Sequence, residues 1–388
     1  MRKLNILAKL HPFLRIVPFF TKNHCIFHPV MKTILLGVLC FAMFTIHSQI
    51  QETESIVFWN VENYFDPFRD TLIADADFTP MGAQHWTWKK FVKKRNALAK
   101  TIVALGVSPT SFQPPAIIGL CEIENYLVLK QLITETPLAP LQYGIIHRNS
   151  SDPRGIDVAL LYRKEVFEPI ESAYYPLYNP ADSQRIATRD ILYVKGLFSS
   201  VPDAKQESDT LHLFVNHWPS KRGGALASAP RRLAASATLR RVVDSVLDAQ
   251  PQARLLIMGD FNDTPDSEAI AQLLHSTDSL HTLHNISAGP SYKFQGRWSC
   301  IDQFIVSRAL RQDIADVSVA RFGFLLEQDK AHLGEKPYRT FLGPRYQGGI
   351  SDHLPIRVKI ATFVRYGHQG DGKKGNRKDT AYEPVLCR

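Results

Sequence analysis

Six strand-like runs of this chain begin or end on a side chain able to bind a metal ion or carry a proton. "IVFWN" closes on Asn60, with Glu62 two residues on, and "IIGLCE" closes on Glu122. "LHLFVNH" ends at His217, and "LLIMGD" ends at Asp260, followed by Asn262. "SCIDQFIV" carries Asp302, and "GISDHLP" sets Asp352 and His353 just ahead of a last strand. Singly, most of these have ordinary structural readings. Asp260 and Asn262 suit an Asx turn before Pro265, Glu122 could cap a following helix, and His217 beside Trp218 could be a packed interior histidine. Asp302 is odder, because an unpaired carboxylate within a strand is costly to bury. An EF-hand calcium loop is excluded at Asp260, since its sixth and twelfth positions hold Pro265 and Ala271 instead of Gly and Glu. As a set, the residues suit metal-assisted hydrolysis of a phosphate ester. Carboxylates and carboxamides are hard ligands that favour Mg2+, with Mn2+ or Ca2+ as substitutes, over zinc. Histidines move protons or donate to phosphate near neutral pH.

The series Trp59-Asn60, Cys121-Glu122, Asn216-His217, Gly259-Asp260-Phe261-Asn262, Ile301-Asp302 and Ser351-Asp352-His353-Leu354-Pro355 resembles the endonuclease/exonuclease/phosphatase superfamily, in order and over roughly residues 55–361. That superfamily includes deoxyribonucleases, abasic-site endonucleases, neutral sphingomyelinases and inositol polyphosphate 5-phosphatases. The resemblance implies a four-layer α/β sandwich. It also implies that Glu122 is the principal metal ligand, that Asn60 lies near metal and phosphate, and that Asp352 is a further metal-side carboxylate. Asp260 and Asn262 resemble the pair that orients the attacking water and binds phosphate. His353 resembles a histidine held by a buried acid, Asp302, and His217 resembles the family's second histidine. Arg189 resembles an arginine that supports the phosphate site, and Asp157 could orient His217. The alternative for Arg189 and Asp157 is an ordinary surface ion pair.

The resemblance leaves the substrate open. In "NHWPSKRGG", Lys221 and Arg222 could grip phosphates flanking the scissile one, and Trp218 could stack on a base. This pattern is similar to secreted bacterial nucleases of the superfamily. The bland alternative is a solvated hairpin tip. A secreted nuclease acting on DNA or RNA is therefore the first expectation. A phosphatase or phosphodiesterase for inositol phosphates or sphingomyelin is the second, although no clear apolar insertion is apparent to serve a lipid. A catalytically inactive binding protein is the third, disfavoured because each core position keeps its expected type. No stable protein partner is expected, and the chain reads as a monomer.

The elements that must position these residues alternate strand-like and helix-like runs. "SIVFWNV", "AIIGLCEIE", "YGIIHRN", "DVALLYRK", "RDILYVKGLF", "LHLFVNHW", "RLLIMGDF", "SCIDQFIVS" and "LPIRVKI" read as strands. Residues 89–105 read as a helix ended by Gly106, "YLVLKQLITET" as one stopped by Pro137, and 230–248 as a third. On the third, Leu239, Val242, Val243, Val246 and Leu247 share a face, and Arg231, Arg232, Arg240 and Arg241 read as its solvated side. Strands outnumber helices and several are consecutive. That favours two mostly antiparallel sheets packed face to face with helices outside.

The net charge of +9 is concentrated at the ends: residues 1–48 hold six Lys/Arg and no acid, and residues 366–388 hold five against three. The middle is nearly neutral, so a basic footprint must be local. "MKTILLGVLCFAMFTIHS", from Met31, reads as an export signal, with residues 1–30 as an upstream extension; a membrane anchor is the lesser alternative. A catalytic domain is expected over 49–365, without a membrane span, and a disordered tail over 366–388, in a secreted or periplasmic protein. Three widely spaced cysteines, Cys121, Cys300 and Cys387, would remain after cleavage, which is no disulfide framework.

Overall fold

The computed structural model describes residues 52–198, 210–274, 279–283 and 289–362. These lie within one compact unit that starts at Gln51. The expected export segment and tail lie outside the described residues. Among the described residues, no helix is long and apolar enough to cross a membrane.

In chain order the strands are β1 (Glu52–Tyr64), β2 (Ile117–Ile123), β3 (Tyr143–His147), β4 (Asp157–Arg163), β5 (Phe167–Tyr175), β6 (Ile191–Phe198), β7 (Thr210–His217), β8 (Arg254–Asp260), β9 (Leu280–Thr282), β10 (Tyr292–Phe294), β11 (Arg297–Ser299), β12 (Asp302–Ser307), β13 (Ile314–Val319), β14 (Leu326–Gln328), β15 (Glu335–Pro337), β16 (Phe341–Leu342), β17 (Arg345–Tyr346) and β18 (Ile356–Thr362). Two six-stranded sheets result, ordered β13-β18-β1-β2-β4-β3 and β5-β6-β7-β8-β12-β9. Within them β1 is parallel to β2 and β7 to β8, while the remaining neighbours are antiparallel. Parallel neighbours need a long crossover. The helices Trp88–Leu105 and Ala225–Ala249 lie in those two connections. Thr87 caps the first by accepting from the Lys90 amide, and Asn125 caps the helix Tyr126–Thr134 by accepting from Val128.

Apolar residues on both faces of the central strands create four layers. Ile56, Phe58, Val215, Leu256, Met258, Phe304 and Val358 fill the space between the sheets. Their neighbours Val57, Trp59 and Val61 pack outward on the helices Trp88–Leu105 and Tyr126–Thr134. Leu255 and Ile257 pack outward on Ala225–Ala249 and on Glu268–Leu274. This is the four-layer α/β sandwich expected from the sequence.

Topology then explains why the polar residues meet. Parallel pairing puts the carboxyl ends of β1 and β2, with Asn60 and Glu122, on the same edge. It does likewise for His217 and Asp260, which are paired in register. Antiparallel β12 starts at that edge, with Asp302 opposite Asp260. Antiparallel β18 pairs Ile356 with Phe58, so Asp352 and His353 precede it at the same edge.

Three features differ from the sequence expectation. Strands β5, β9 and β13 of the large sheets, and the short β10, β11 and β14–β17, are absent from its strand list. β5, β9 and β13 are edge strands, and β5 carries Pro169 and Glu171 in a largely exposed pattern with little apolar alternation. The long helix opens at Ala225, ahead of Pro230. Arg232 does not lie on a solvated face; it is buried and its Nε is 2.7 Å from Asp263 Oδ2.

Gly259 explains the glycine in "GDFN". A Cβ there would lie 2.6 Å from both Cβ and the backbone oxygen of Asn216. Backbone cannot yield as a flexible side chain can, so Gly259→Ala is expected to destabilise the fold by about 1–3 kcal/mol. Gly323→Ala, which meets open space, is the control. Thermal denaturation of both variants checks this, and an unchanged midpoint for Gly259→Ala would remove the packing argument.

Candidate active site

Asn60 joins the two sheets at their polar edge. Its Nδ2 donates to Asp260 Oδ2 at 3.0 Å and to Glu122 Oε1 at 3.2 Å, while its Oδ1 accepts from the Glu62 amide at 2.9 Å. Glu122 Oε2 accepts from the Asn63 amide at 2.8 Å, and Asp260 Oδ1 from the Asn262 amide at 2.9 Å. Bulges aim these groups. The β1–β2 register shifts between Asn60 and Tyr64, and Glu62, Asn63, Glu122 and Asn262 all have left-handed φ of 50–62°. Such conformations cost free energy for residues other than glycine and persist where surrounding bonds over-determine them.

The two histidines have opposite electrostatics. His353 Nδ1 donates to Asp302 Oδ2 at 2.8 Å, and the Ser291 hydroxyl donates to the same oxygen. Trp59 Nε1 holds the His353 carbonyl at 2.9 Å, and the Tyr292 ring lies 4.6 Å from the imidazole. Burial alone would depress the His353 pKa. The carboxylates of Asp302 and Asp260 outweigh it and hold this imidazole well above its ordinary value, hence protonated. His217 is pushed well below its ordinary value by burial, with the charges of Arg189, Arg154 and His353 adding to it. Its Nε2 lies 3.7 Å from Asp260 Oδ2 and 3.9 Å from Glu122 Oε1. Because the ring is neutral, these are close approaches rather than ion pairs. Burial, with the like charge of Asp302, lifts Asp260 to about 7 despite His353.

A second acidic group sits beside the first. Buried Glu62 accepts from the amides of Thr340 at 2.7 Å and Phe341 at 3.2 Å, and burial with nearby Asp352 raises it to about 7. Lys94, wholly buried, donates to the Glu62 carbonyl and to Thr340 Oγ1, and burial lowers it to about 8. Arg339 Nη2 donates to Asp352 Oδ2 at 2.9 Å.

Asn60, Glu122, His217, Asp260, Asn262, Asp302 and His353 thus converge, with Asp352 held alongside by Arg339. Several expected roles are corrected. Asn60 directs its amide hydrogens at two carboxylates and its oxygen at a backbone amide, so it aligns the acidic groups of the two sheets. Trp218 is 1% exposed, packs edge-on to Phe261 and donates to Asn216 Oδ1, so it offers no face to a base. Its carbonyl instead accepts from Asn262 Nδ2 at 3.0 Å and Arg189 Nη2 at 2.6 Å. Arg189 is buried and paired with Asp152 at 2.9 Å, and its Nε holds the His217 carbonyl at 3.2 Å, so it supports the site from beneath. Asp157 is also buried; it accepts from the Ser150 amide and lies 3.7 Å from His147, so it does not orient His217. Lys221 is paired with Asp263 at 2.8 Å, and Arg222 is exposed in the adjoining loop. Asp152, Ser291, Lys94 and Arg339 were missed, and Glu62 was noted without a role. Among them, only Glu62 lay next to a recognised motif.

The site has acidic and imidazole groups able to bind a metal ion. Glu122 and Asp260 share the carboxamide of Asn60, and Asp352 lies near Glu62. Burial first, and then the like charge of Asp302 or Asp352, raises Asp260 and Glu62 to about 7, and a nearby cation would favour their ionised forms. Among the described residues, the sets whose ligand atoms lie within 4.8 Å of one another are Cys121 with His217 and Asp260, and Asp260 with Asp302 and His353. Neither is made of oxygen donors alone. Burial holds the Cys121 thiol protonated, and the His353 Nδ1–H is committed to Asp302.

A family model described as Endonuclease/Exonuclease/phosphatase family matches residues 55–362. No curated protein matches significantly. Among solved structures, an endonuclease/exonuclease/phosphatase family protein from Bacteroides thetaiotaomicron is similar at TM-score 0.52 and 15% identity, over 84% of this chain and 100% of that one. An endonuclease/exonuclease/phosphatase from Bacteroides vulgatus is similar at TM-score 0.51 and 14% identity, over 81% and 100%. The human Nocturnin catalytic domain, solved with a bound sulfate, is similar at TM-score 0.50 and 16% identity, over 80% and 95%. At these identities the likeness is one of fold.

Asp260 yields a stability prediction. Its folded value of about 7 lies above the ordinary 3.8, so the folded state holds the proton more tightly. Its contribution is fully present below pH 3.8 and is lost as pH rises to about 7. In EDTA, Asp260→Asn should therefore be more stable than the parent at pH 8, and the gap should close toward pH 4. Melting curves across that range would refute this if the gap were constant.

Proposed function

The chain belongs to the endonuclease/exonuclease/phosphatase family, and on that premise we propose that it is a secreted, Mg2+-dependent nuclease that hydrolyses phosphodiester bonds of DNA or RNA. The observation carrying the hydrolytic part is the meeting of Glu122 and Asp260 on one carboxamide, beside a protonated His353–Asp302 pair and a neutral His217. The nucleic-acid part rests on the exposed Arg222 and half-exposed Lys221 next to His217. Secretion rests on the apolar run after Met31.

A divalent cation held by Glu122 and Asp352 would supply Lewis-acid polarisation of a phosphoryl oxygen. The chain's own groups do the rest. Asp260, with a pKa near 7, accepts a proton from the attacking water, which Asn262 helps orient for in-line displacement. His353 offers Nε2–H to the charge that grows on the phosphoryl group, with Asp302 fixing its ring. Neutral His217 adds a second imidazole near the same Asp260 oxygen as His353.

One observation favours the lipid alternative. The segment between β1 and the helix Trp88–Leu105 exposes Phe68, Leu72 and Met81 at 60%, 89% and 93%, an apolar surface not anticipated from the sequence. The deciding experiment is an assay of the chain from Gln49 on plasmid DNA, RNA, sphingomyelin and an inositol polyphosphate, with Mg2+ or EDTA. Cleavage of DNA or RNA that EDTA abolishes is expected. His353→Ala and His217→Ala should each lower turnover by about 10²–10⁴. Turnover of sphingomyelin or inositol phosphate alone would overturn the substrate, and near-parental rates for His217→Ala would remove that residue from the mechanism.

A further inference from the structure

The described cations beside the acidic half of the site differ in how far their side chains reach solvent. Lys94 is wholly buried behind Glu62, Arg189 is spent on Asp152 and two carbonyls, and Lys221 is paired with Asp263. Arg339 is different. Its side chain is 32% exposed, its Nη2 bonds Asp352 Oδ2, and its buried Nε sits 3.7 Å from Glu62 Oε1 without a hydrogen bond of its own. It lies within electrostatic reach of Glu122 and Tyr292 as well.

The backbone holds it there by design of the loop. The amides of Thr340 and Phe341, the next two residues, are spent on the Glu62 carboxylate. The Gly349 amide donates to the Arg339 carbonyl, and the Ile350 amide donates to that of Tyr338 at 2.6 Å. A Cβ at Gly349 would lie 2.1 Å from the Tyr338 oxygen, so glycine is required for this approach. The segment carrying Arg339 is thereby clamped to the one that leads into Asp352 and His353.

We infer that Arg339 is a phosphate-binding residue of this active site, gripping the phosphoryl group of the substrate from the acidic side. This rests on the phosphoesterase reading above and names a contact it lacked. An anionic phosphate approaching Glu62, Glu122, Asp260 and Asp352 meets repulsion. A planar guanidinium fork beside them answers it with paired hydrogen bonds that a point charge cannot supply.

The rival role is that of a counter-ion for Asp352 alone, and two titrations without turnover separate them. Inorganic phosphate is titrated calorimetrically into the parent, Arg339→Lys and Arg339→Ala in EDTA, and Mg2+ into each without phosphate. Circular dichroism establishes that each variant is folded. If Arg339→Ala does not fold, Arg339→Lys carries the test, since it keeps the charge and loses the fork. The expected result is at least tenfold weaker phosphate binding in Arg339→Ala, an intermediate loss in Arg339→Lys, and Mg2+ affinity unchanged or tightened. Equal phosphate affinity in the parent and the folded variants, or a parent that binds no phosphate, overturns the assignment. Phosphate affinity held with weakened Mg2+ binding makes Arg339 a support for Asp352 only. A parent that cleaves neither DNA nor RNA overturns the proposed substrate and leaves these titrations intact.

Discussion

The side-chain bond from Asn60 to Asp260 crosses from one sheet to the other at the mouth of the sandwich. Behind it the sheets adhere through apolar side chains, which are non-directional and would tolerate small shifts. The carboxamide, and the His353–Asp302 bond that also crosses between sheets, demand a defined separation and angle. A slip of one sheet on the other would leave buried carboxylates without donors, which costs more than the bonds contribute when made. The polar edge therefore fixes the relative setting that the core only favours.

The left-handed residues follow from that demand. A regular strand would send Asn60 and Glu62 to one face in a straight row. The bulge over Glu62 and Asn63 turns one carboxylate toward Thr340 and frees an amide for Glu122. Asn262 takes the same conformation, which its short amide tolerates better than most side chains. The backbone strain is local, and each strained residue makes a bond in the mesh that a relaxed one would lose.

Much of this was legible because strand periodicity and polar strand ends are local signals. The runs through Ile56–Phe58 and Leu255–Met258 are apolar at consecutive positions, which marks strands covered on both faces, and the residue after such a run falls at the edge. Trp218 was misread because an aromatic between a histidine and a basic loop has the composition of a binding surface. Only the path of the helix above it shows that it is covered. Arg232 and Arg189 failed similarly: an arginine's spacing does not tell whether an aspartate from a distant turn, Asp263 or Asp152, will meet it. Arg339 had no periodic context at all, since its place is set by backbone bonds to residues about ten positions on.

The last strand has a consequence in time. β18 lies inside its sheet between β13 and β1, and the bond from Trp59 to the His353 carbonyl spans 294 residues. Closing so long a loop carries an entropic cost that only the completed sheet repays, which makes this a high-contact-order assembly step. A ribosome-bound chain that has not yet released β18 lacks a central strand and His353. The first sheet and the polar edge are therefore completed together, by the same late segment.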